Sequence, residues 1–501
     1  MTSETTPAVP AAIMPATVMP APVVTTLDTL FLFGATGDLS RRYLIPSIAH
    51  LLRDRLLPPS FRLVALGRQE MGDDAFRAWL RKQLPDQLAR NNAPFEQLLA
   101  VTHYVAVDLS DRTAMAAALA PYADRPAASY LAIPPDLFVP ACEGLQSAGL
   151  LDAPSRVVLE KPIGHDLASA REINARLRQF ADEDRIFRID HYLGKAPVQN
   201  LLALRFGNTL LEAVWHHRWI ESVDILVAET AGVDGREGYY ARYGALRDMV
   251  QNHMLQLLAL IAMEPPSSLD AGSLREEKRK VLRALRPMTA ADVCTDSVRG
   301  RYGDGVVDGR AVPGFKHDSE AETFVALRAR IDNWRWAGVP FRLVTGKRLA
   351  HRSTEVLVTF KPVSHWIFDK PPYAGAMPNR LLMRLQPDET IELGLMGSLA
   401  APEWGGTELQ PLSLDLSMPA TTQRRIAYER LILDALHGNQ ALFVTGEEVE
   451  AAWAWIDSIS AAWEGCGETA KPYPAGSWGP PEAADFLPIT VPASSRPVAG
   501  P

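Results

Sequence analysis

From Asp28 onward the chain alternates two hydrophobic patterns. The nearly continuous apolar runs TLFLFGAT, FRLVALGR, HYVAVDLS, SYLAIP, RVVLEKP and RIFRID are separated by longer stretches, such as LSRRYLIPSIAHLLRDRLL and DDAFRAWLRKQL, in which apolar residues recur every three or four positions. A run without polar alternation suits a strand buried on both faces, and the longer recurrence marks one face of a helix. Strands separated by helices need crossover connections. Residues 27–190 are therefore predicted to form a Rossmann-like, doubly wound parallel sheet, the layout of a nucleotide-binding domain.

The texture changes after Asp190. Helical stretches APVQNLLALRF, GALRDMVQNHMLQLLALIAM and SLREEKRKVLRALR give way to TFVALRARI, PFRLVTGK, TEVLVTFK and RLLMRLQP, which alternate and are divided by Gly and Pro. Alternation predicts an antiparallel sheet carrying helices on one side. Residues 191–487 are expected to be a larger α+β domain with a mainly antiparallel sheet.

Composition narrows the classes. A chain of 501 residues suits two domains. Its 47% hydrophobic and 22% charged residues exclude disordered and fibrous proteins. Residues 1–26, rich in Ala, Pro and Thr and without Lys or Arg, lack the charged start and unbroken apolar core of a secretory signal. A disordered arm is expected there, and a flexible tail over 488–501. No stretch approaches the roughly 20 apolar residues of a membrane span.

The net charge of −8 argues against a nucleic-acid partner. An anionic ligand would need cations gathered locally. Cys142, Cys294 and Cys466 show neither metal-like pairing nor a disulfide framework, so no metal and a cytoplasmic location are expected.

FLFGATGDLSRR sets Gly34 and Gly37 between strand and helix, where glycine lets the backbone turn tightly and approach a pyrophosphate met by helix-terminal N–H groups. The motif is GxxG with Asp38 next, short of GxGxxG, and a purely structural turn is the competing reading. The second strand ends ALGRQ. An acid there would hold the ribose hydroxyls of NAD, whereas Arg68 points to the 2′-phosphate of NADP.

RIDHYLGK, Arg188 to Lys195, follows the last strand of the first domain directly. If a helix begins here, His191 and Lys195 share a face near its partly positive first turn, which suits a phosphate. Further on, Leu246, Met249, Val250 and His253 fall on one helical face, a pattern that by itself describes a core histidine.

GATGDL, the GR after the second strand, EKP at Glu160 to Pro162, RIDHYLGK, LRDMVQNH, TGK and PAGSWGP occur in the order found in glucose-6-phosphate dehydrogenases. From Asp28 to Leu487 the chain resembles that family. The resemblance implies oxidation of D-glucose 6-phosphate at C1 to 6-phospho-D-glucono-1,5-lactone, the first oxidative step of the pentose phosphate pathway. It also implies NADP, or also NAD, as hydride acceptor without a metal, and a homodimer or homotetramer formed through the second domain.

Carried over residue by residue, it makes His253 the general base and Asp190 its orienting carboxylate. The substrate would be held by His191, Tyr192, Lys195, Glu229, Asp248, Lys347, Arg352 and Lys161, and the coenzyme by Gly34, Thr36, Gly37, Asp38, Leu39, Arg68 and Lys161. Two positions depart from the family. Tyr43 stands where a Lys is frequent and Phe138 where a Tyr is, both near the expected coenzyme, with Arg41 and Arg42 as sources of compensating charge.

Two other readings remain. A sugar dehydrogenase indifferent to the 6-phosphate would leave the cations of RIDHYLGK without a partner. A silent NADP-binding sensor would have no need of both Asp190 and His253.

Overall fold

The computed structural model describes residues 25–83, 92–317, 319–367, 378–399, 408–417 and 426–496. Of the expected arm, residues 1–24, and of the expected tail over 488–501, residues 497–501, lie outside the described residues; residues 488–496 are packed instead, with Val491 buried, Thr490 donating to Glu355 and Arg496 to the Pro488 carbonyl.

All six apolar runs of the first region are strands: β1 (Thr29–Phe33), β2 (Arg62–Gly67), β3 (Thr102–Ala106), β4 (Ala128–Leu131), β5 (Arg156–Leu159) and β6 (Ile186–Ile189). They run parallel in the order β6-β5-β4-β1-β2-β3. Helices Ile45–Arg53, Asp73–Gln83, Arg112–Leu119, Phe138–Ser147 and Leu167–Leu177 make the crossovers. Every residue of β1 is buried, as expected of a central strand covered on both faces. The order reverses between β1 and β4. That reversal opens a crevice beyond their carboxyl ends, where doubly wound sheets bind ligands.

The second region builds a nine-stranded sheet. Its strands are β7 (Ile220–Ala228), β8 (Ser297–Gly303), β11 (Phe324–Ala329), β12 (Phe341–Gly346), β13 (Ser353–Phe360), β14 (Arg380–Gln386), β15 (Thr390–Leu399), β16 (Glu408–Asp415) and β18 (Lys471–Pro474), while β9 (Gly305–Val307) and β10 (Arg310–Val312) form a separate ribbon. The order is β16-β15-β14-β13-β7-β12-β11-β8-β18, antiparallel except for β7 with β12 and β8 with β18. The Rossmann-like sheet and the mainly antiparallel sheet are both as the sequence predicts.

The short strand β17 (Phe443–Val444) is an addition. It pairs antiparallel with β6 and so extends the first sheet from far along the chain. Phe443 meets Phe187 edge to face at 4.8 Å. A two-residue strand carries no periodicity that the sequence could reveal.

Two local readings are corrected. Residues 191–195 form a turn and not a helix start. The Asp190 carbonyl accepts from Leu193 N at 3.0 Å, its Oδ1 accepts from Tyr192 N at 2.9 Å, and the helix begins only at Ala196, with Pro197 in its first turn and Lys195 as the flanking cap residue. Proline fixes that start because its missing N–H costs nothing there. His191 and Lys195 therefore do not share a helix face.

The segment Leu246–Met254 is π-helical and only then continues as the α-helix Leu255–Ala262. The even 3.6-residue stripe assigned to His253 does not apply. In the wider turn residues five apart align, which sets Asp248 one turn before His253. Polar and apolar residues of this segment are buried together. Contacts to the first domain, described next, hold it.

Candidate active site

Beyond the ends of β1, β2 and β4 lies a cavity of about 410 Å³ lined in part by Gly34, Thr36, Gly37, Arg68, Asp108 and Ser110. Its floor depends on glycine. Gly34 has φ +74°, and a Cβ there would stand 2.3 Å from the Ala132 carbonyl oxygen, so the turn after β1 can pass close to β4 only without a side chain. The Gly34 carbonyl accepts from Gly37 N and from Ser40 Oγ, both at 2.9 Å. Arg68 is exposed at the end of β2, close enough to Asp108 to help hold that carboxyl below its ordinary value, behind the hydrogen bonds from Ser110.

Three expected coenzyme residues do not line this cavity. Asp38 is exposed and pairs with Arg41 at 2.8 Å and Arg42 at 2.9 Å. Leu39 packs its side chain against the core. Lys161 lies at the second cluster instead. Phe138 is fully buried and Tyr43 is exposed, so of these two departures only Tyr43 offers its side chain to solvent.

The second cluster forms where β6 ends. His253 Nδ1 lies 2.6 Å from Asp190 Oδ1, with the residues 1% and 2% exposed. Burial alone would raise the Asp190 carboxyl, but His253, His191 and the Tyr192 N–H outweigh it and hold the group at about 2. Burial pushes the His253 imidazole below its ordinary value, and the neighbouring Asp190 charge opposes that. At neutral pH the pair is then a carboxylate beside a neutral ring. With Nδ1–H donated to the carboxylate, Nε2 carries the free lone pair, so the ring can accept a proton and the carboxylate can stabilise the result.

Around the pair, Tyr192 stacks on His253 at 4.4 Å between ring centroids, and His191 meets it edge-on at 4.4 Å. Lys195 Nζ sits 3.4 Å from the centroid of the Tyr192 ring. Burial, with Arg352 nearby, lowers the Lys195 ammonium to about 8, while Asp190, Glu229 and Glu389 oppose the fall. Burial pushes His191 well down, so it offers a neutral ring. Arg352 itself is exposed and reaches Gln386 Oε1 at 3.5 Å. Arg188, at the start of the motif, turns away and binds Glu183 and Asn174 in the interior.

Lys161, joined to Pro162 by a cis peptide, donates to Asp248 Oδ1 at 2.7 Å and to the Asp248 carbonyl at 3.2 Å. Burial would raise Asp248, yet Lys161 and Lys347 hold it far below the usual carboxylate range. Lys347 is paired with Glu229. The structure thus gathers Asp190, His191, Tyr192, Lys195, His253, Lys161, Asp248, Lys347 and Glu229 at the junction of the two sheets.

Asp190, His191 and His253 also offer one ligand atom each within 4.8 Å of one another. Asp190 Oδ1 already accepts from Tyr192 N and the His253 ring, so a cation would compete with that hydrogen bond.

Sequence reasoning gave no role to four neighbours. Tyr239 Oη lies 3.3 Å from Asp248 Oδ1, Thr354 is hydrogen-bonded to Tyr192, and Tyr130 donates to the buried Glu160 at 2.5 Å. Only Glu160, adjacent to Lys161 in a quoted motif, carried a signal.

The family model described as "Glucose-6-phosphate dehydrogenase, NAD binding domain" matches residues 31–200, and "Glucose-6-phosphate dehydrogenase, C-terminal domain" matches 202–490. The chain is 45% identical over 475 residues to the glucose-6-phosphate 1-dehydrogenase of Zymomonas mobilis, covering 92% of this chain and 97% of that one. It is 44% identical over 469 residues to that of Rhizobium meliloti, covering 91% and 95%. Among solved structures, a glucose-6-phosphate dehydrogenase in complex with its substrate glucose 6-phosphate superposes with a TM-score of 0.83 at 33% identity, over 93% of this chain and 98% of that one.

Proposed function

Because the chain belongs to the glucose-6-phosphate dehydrogenase family, we propose that it oxidises D-glucose 6-phosphate at C1 to 6-phospho-D-glucono-1,5-lactone, with His253 as base and NADP as hydride acceptor. The observation that carries the scheme is the buried 2.6 Å contact between His253 and Asp190. Oxidation at C1 removes a proton from oxygen and a hydride from carbon. His253 Nε2 takes the proton from the C1 hydroxyl, the O–H electron pair becomes the second C–O bond, and the C–H pair leaves as hydride. Asp190 stays ionised and stabilises the imidazolium. When bound, the nicotinamide ring accepts the hydride.

The phosphate falls to Lys195, Tyr192 and His191, with Arg352 at the rim. Asp248, Lys161, Glu229 and Lys347 meet the sugar hydroxyls and ring. Such a cluster matches an anionic sugar because its lysines lie at the site while the chain as a whole is acidic.

A dinucleotide fits the crevice on two counts. The Gly34 turn allows close backbone approach, and Arg68 is the one cation among the residues lining the cavity. Gly34, Thr36 and Gly37 would face the pyrophosphate and Arg68 the 2′-phosphate. Asp108 beside Arg68 is an acceptor that would suit the ribose hydroxyl of NAD, so both coenzymes belong in the assay.

The scheme assigns no step to a metal: Asp190 Oδ1 accepts from the His253 ring and from Tyr192 N. Chelator treatment is expected to leave turnover unchanged. Self-association is supported by β16, where Leu412 and Leu414, followed by Leu416, expose apolar side chains on alternate positions.

The reading is tested by following absorbance of the reduced nicotinamide with glucose 6-phosphate or glucose, each with NADP or NAD. Turnover confined to glucose 6-phosphate, and faster at low NADP than at low NAD, is expected. Equal turnover of free glucose would overturn the phosphate assignment.

A further inference from the structure

The helix Glu237–Ala245 runs into the π-helical segment Leu246–Met254 without a linker, yet the chain turns a corner between them. Gly244 has φ +65° and ψ 179°, outside the helical range. A Cβ there would stand 2.4 Å from Glu322 Oε1, so the corner needs glycine. Glu322 closes it from the far side: its carbonyl accepts from Ala245 N at 2.9 Å and its Oε1 from Leu246 N at 3.0 Å.

The corner changes what Tyr239 can reach. In one continuous α-helix, Tyr239 and Asp248 would be separated by roughly 13 Å along the axis and would lie on opposite faces. Here Tyr239 Oη donates to Asp248 Oδ1 at 3.3 Å. The ring is held by its own helix: Tyr243 stacks on it with centroids 4.6 Å apart, and the Arg236 guanidinium lies 4.5 Å from its centroid. Burial, and after it the Asp248 charge, push the phenol up, so it keeps its proton at neutral pH and serves as the donor.

The two donors to Asp248 address the same oxygen. Lys161 Nζ reaches Oδ1 at 2.7 Å from the first domain and Tyr239 reaches it from the second, while among the described residues no donor reaches Oδ2. The terminal torsion of an aspartate is soft, and one donor on Oδ1 leaves the carboxylate free to pivot about that oxygen. A second donor from another direction removes that freedom.

We infer that Tyr239 is a positioning residue for the substrate: its hydroxyl fixes the rotation of the Asp248 carboxylate so that Oδ2 faces one sugar hydroxyl at C2, C3 or C4. The inference rests on the proposed reading of Asp248 as a group that meets the sugar. Its consequence is selective. A carboxylate already set in its binding orientation loses less freedom when the sugar arrives, so Tyr239 strengthens binding through one hydroxyl and leaves the proton and hydride steps to other groups.

Tyr239→Phe removes the hydroxyl and keeps the ring that stacks on Tyr243. Steady-state turnover is to be measured for wild type and variant with glucose 6-phosphate and with the three analogues that lack the hydroxyl at C2, C3 or C4. The variant should raise KM for glucose 6-phosphate roughly 2- to 12-fold, the worth of one ordinary hydrogen bond, with kcat nearly unchanged. Two of the analogues should show the same rise. The third, which lacks the hydroxyl that Asp248 holds, should show none. An equal rise for all four sugars, or no rise for any, would overturn the inference while wild-type turnover of glucose 6-phosphate leaves the proposed function standing. Wild type that does not turn over glucose 6-phosphate would overturn both.

Discussion

Lys161 Nζ and Asp248 Oδ1 stand 2.7 Å apart, and through them the turn after β5 is fastened to the π-helical segment that carries His253. The contact does two things. It neutralises a buried carboxylate, and it sets the spacing between the coenzyme domain and the base. Since residues five apart align in a π-turn, holding Asp248 also holds His253 facing Asp190. The pairing Asp190–His253 and the pairing Lys161–Asp248 thus cross the same junction in parallel.

Loss of the base should be severe and should carry a pH signature. His253→Asn is expected to lower kcat by about 10²- to 10⁴-fold with little change in binding of glucose 6-phosphate, measured by steady-state turnover and by calorimetry. Because burial lowers His253 below its ordinary 6.5, wild-type kcat should hold through pH 6.5 and fall only at more acid pH, where the ring is protonated. Asp190 raises that value, so Asp190→Asn should move the acid limb further down while reducing the plateau. A limb that moves up would remove Asp190 from its role.

Lys195 is expected to govern the alkaline side. Its ammonium is lowered to about 8, so it loses charge as pH rises through that value and kcat/KM for glucose 6-phosphate should decline with it. Lys195→Arg should flatten the decline. Lys195→Ala should raise KM for glucose 6-phosphate by roughly 10- to 150-fold, the worth of one charged hydrogen bond, and change KM for free glucose far less. An equal change in both would separate Lys195 from the phosphate.

The parallel sheet was legible because its inner strands, such as β1 and β4, are nearly continuous apolar runs bounded by helices, a pattern set by burial on both faces. RIDHYLGK and the candidate base were legible as residues but not as geometry. The sequence reads one residue at a time along an assumed helix, whereas Lys195 finds its place through the ring of Tyr192 and His253 through a π-turn stabilised by distant partners. Tyr130, Tyr239 and Thr354 had no local signature, because sheet topology brings Tyr130 and Thr354 to the site and the packing of the helix Glu237–Ala245 brings Tyr239. At Asp38 the motif names a position but not what its side chain does, which is to pair with Arg41 and Arg42.

Coenzyme choice should rest on Arg68. In the proposed coenzyme pose the exposed guanidinium at the end of β2 would face the 2′-phosphate, which NAD lacks, so Arg68→Ala is expected to weaken NADP by roughly 10- to 150-fold and to leave NAD nearly unchanged. Fluorescence titration with each coenzyme checks this. Comparable weakening of both would assign Arg68 to a contact the two share.

Glu160 should make the folded protein lose stability as pH rises. Its carboxyl is buried, and burial raises it from 4.5 to about 7 against the opposition of the Tyr130 hydroxyl and Lys161. A raised folded value means that the folded state holds a proton the unfolded chain has released. The contribution is therefore complete below 4.5 and is lost as pH rises through about 7, a span worth about 3 kcal/mol. Glu160→Gln keeps the shape and an acceptor for Tyr130 but cannot ionise. In urea unfolding the variant should gain on the wild type by about that amount between pH 4.5 and pH 8. A difference between the two proteins that stays constant across this range would show that Glu160 is already ionised in the folded state near pH 5, with Lys161 rather than burial deciding its charge.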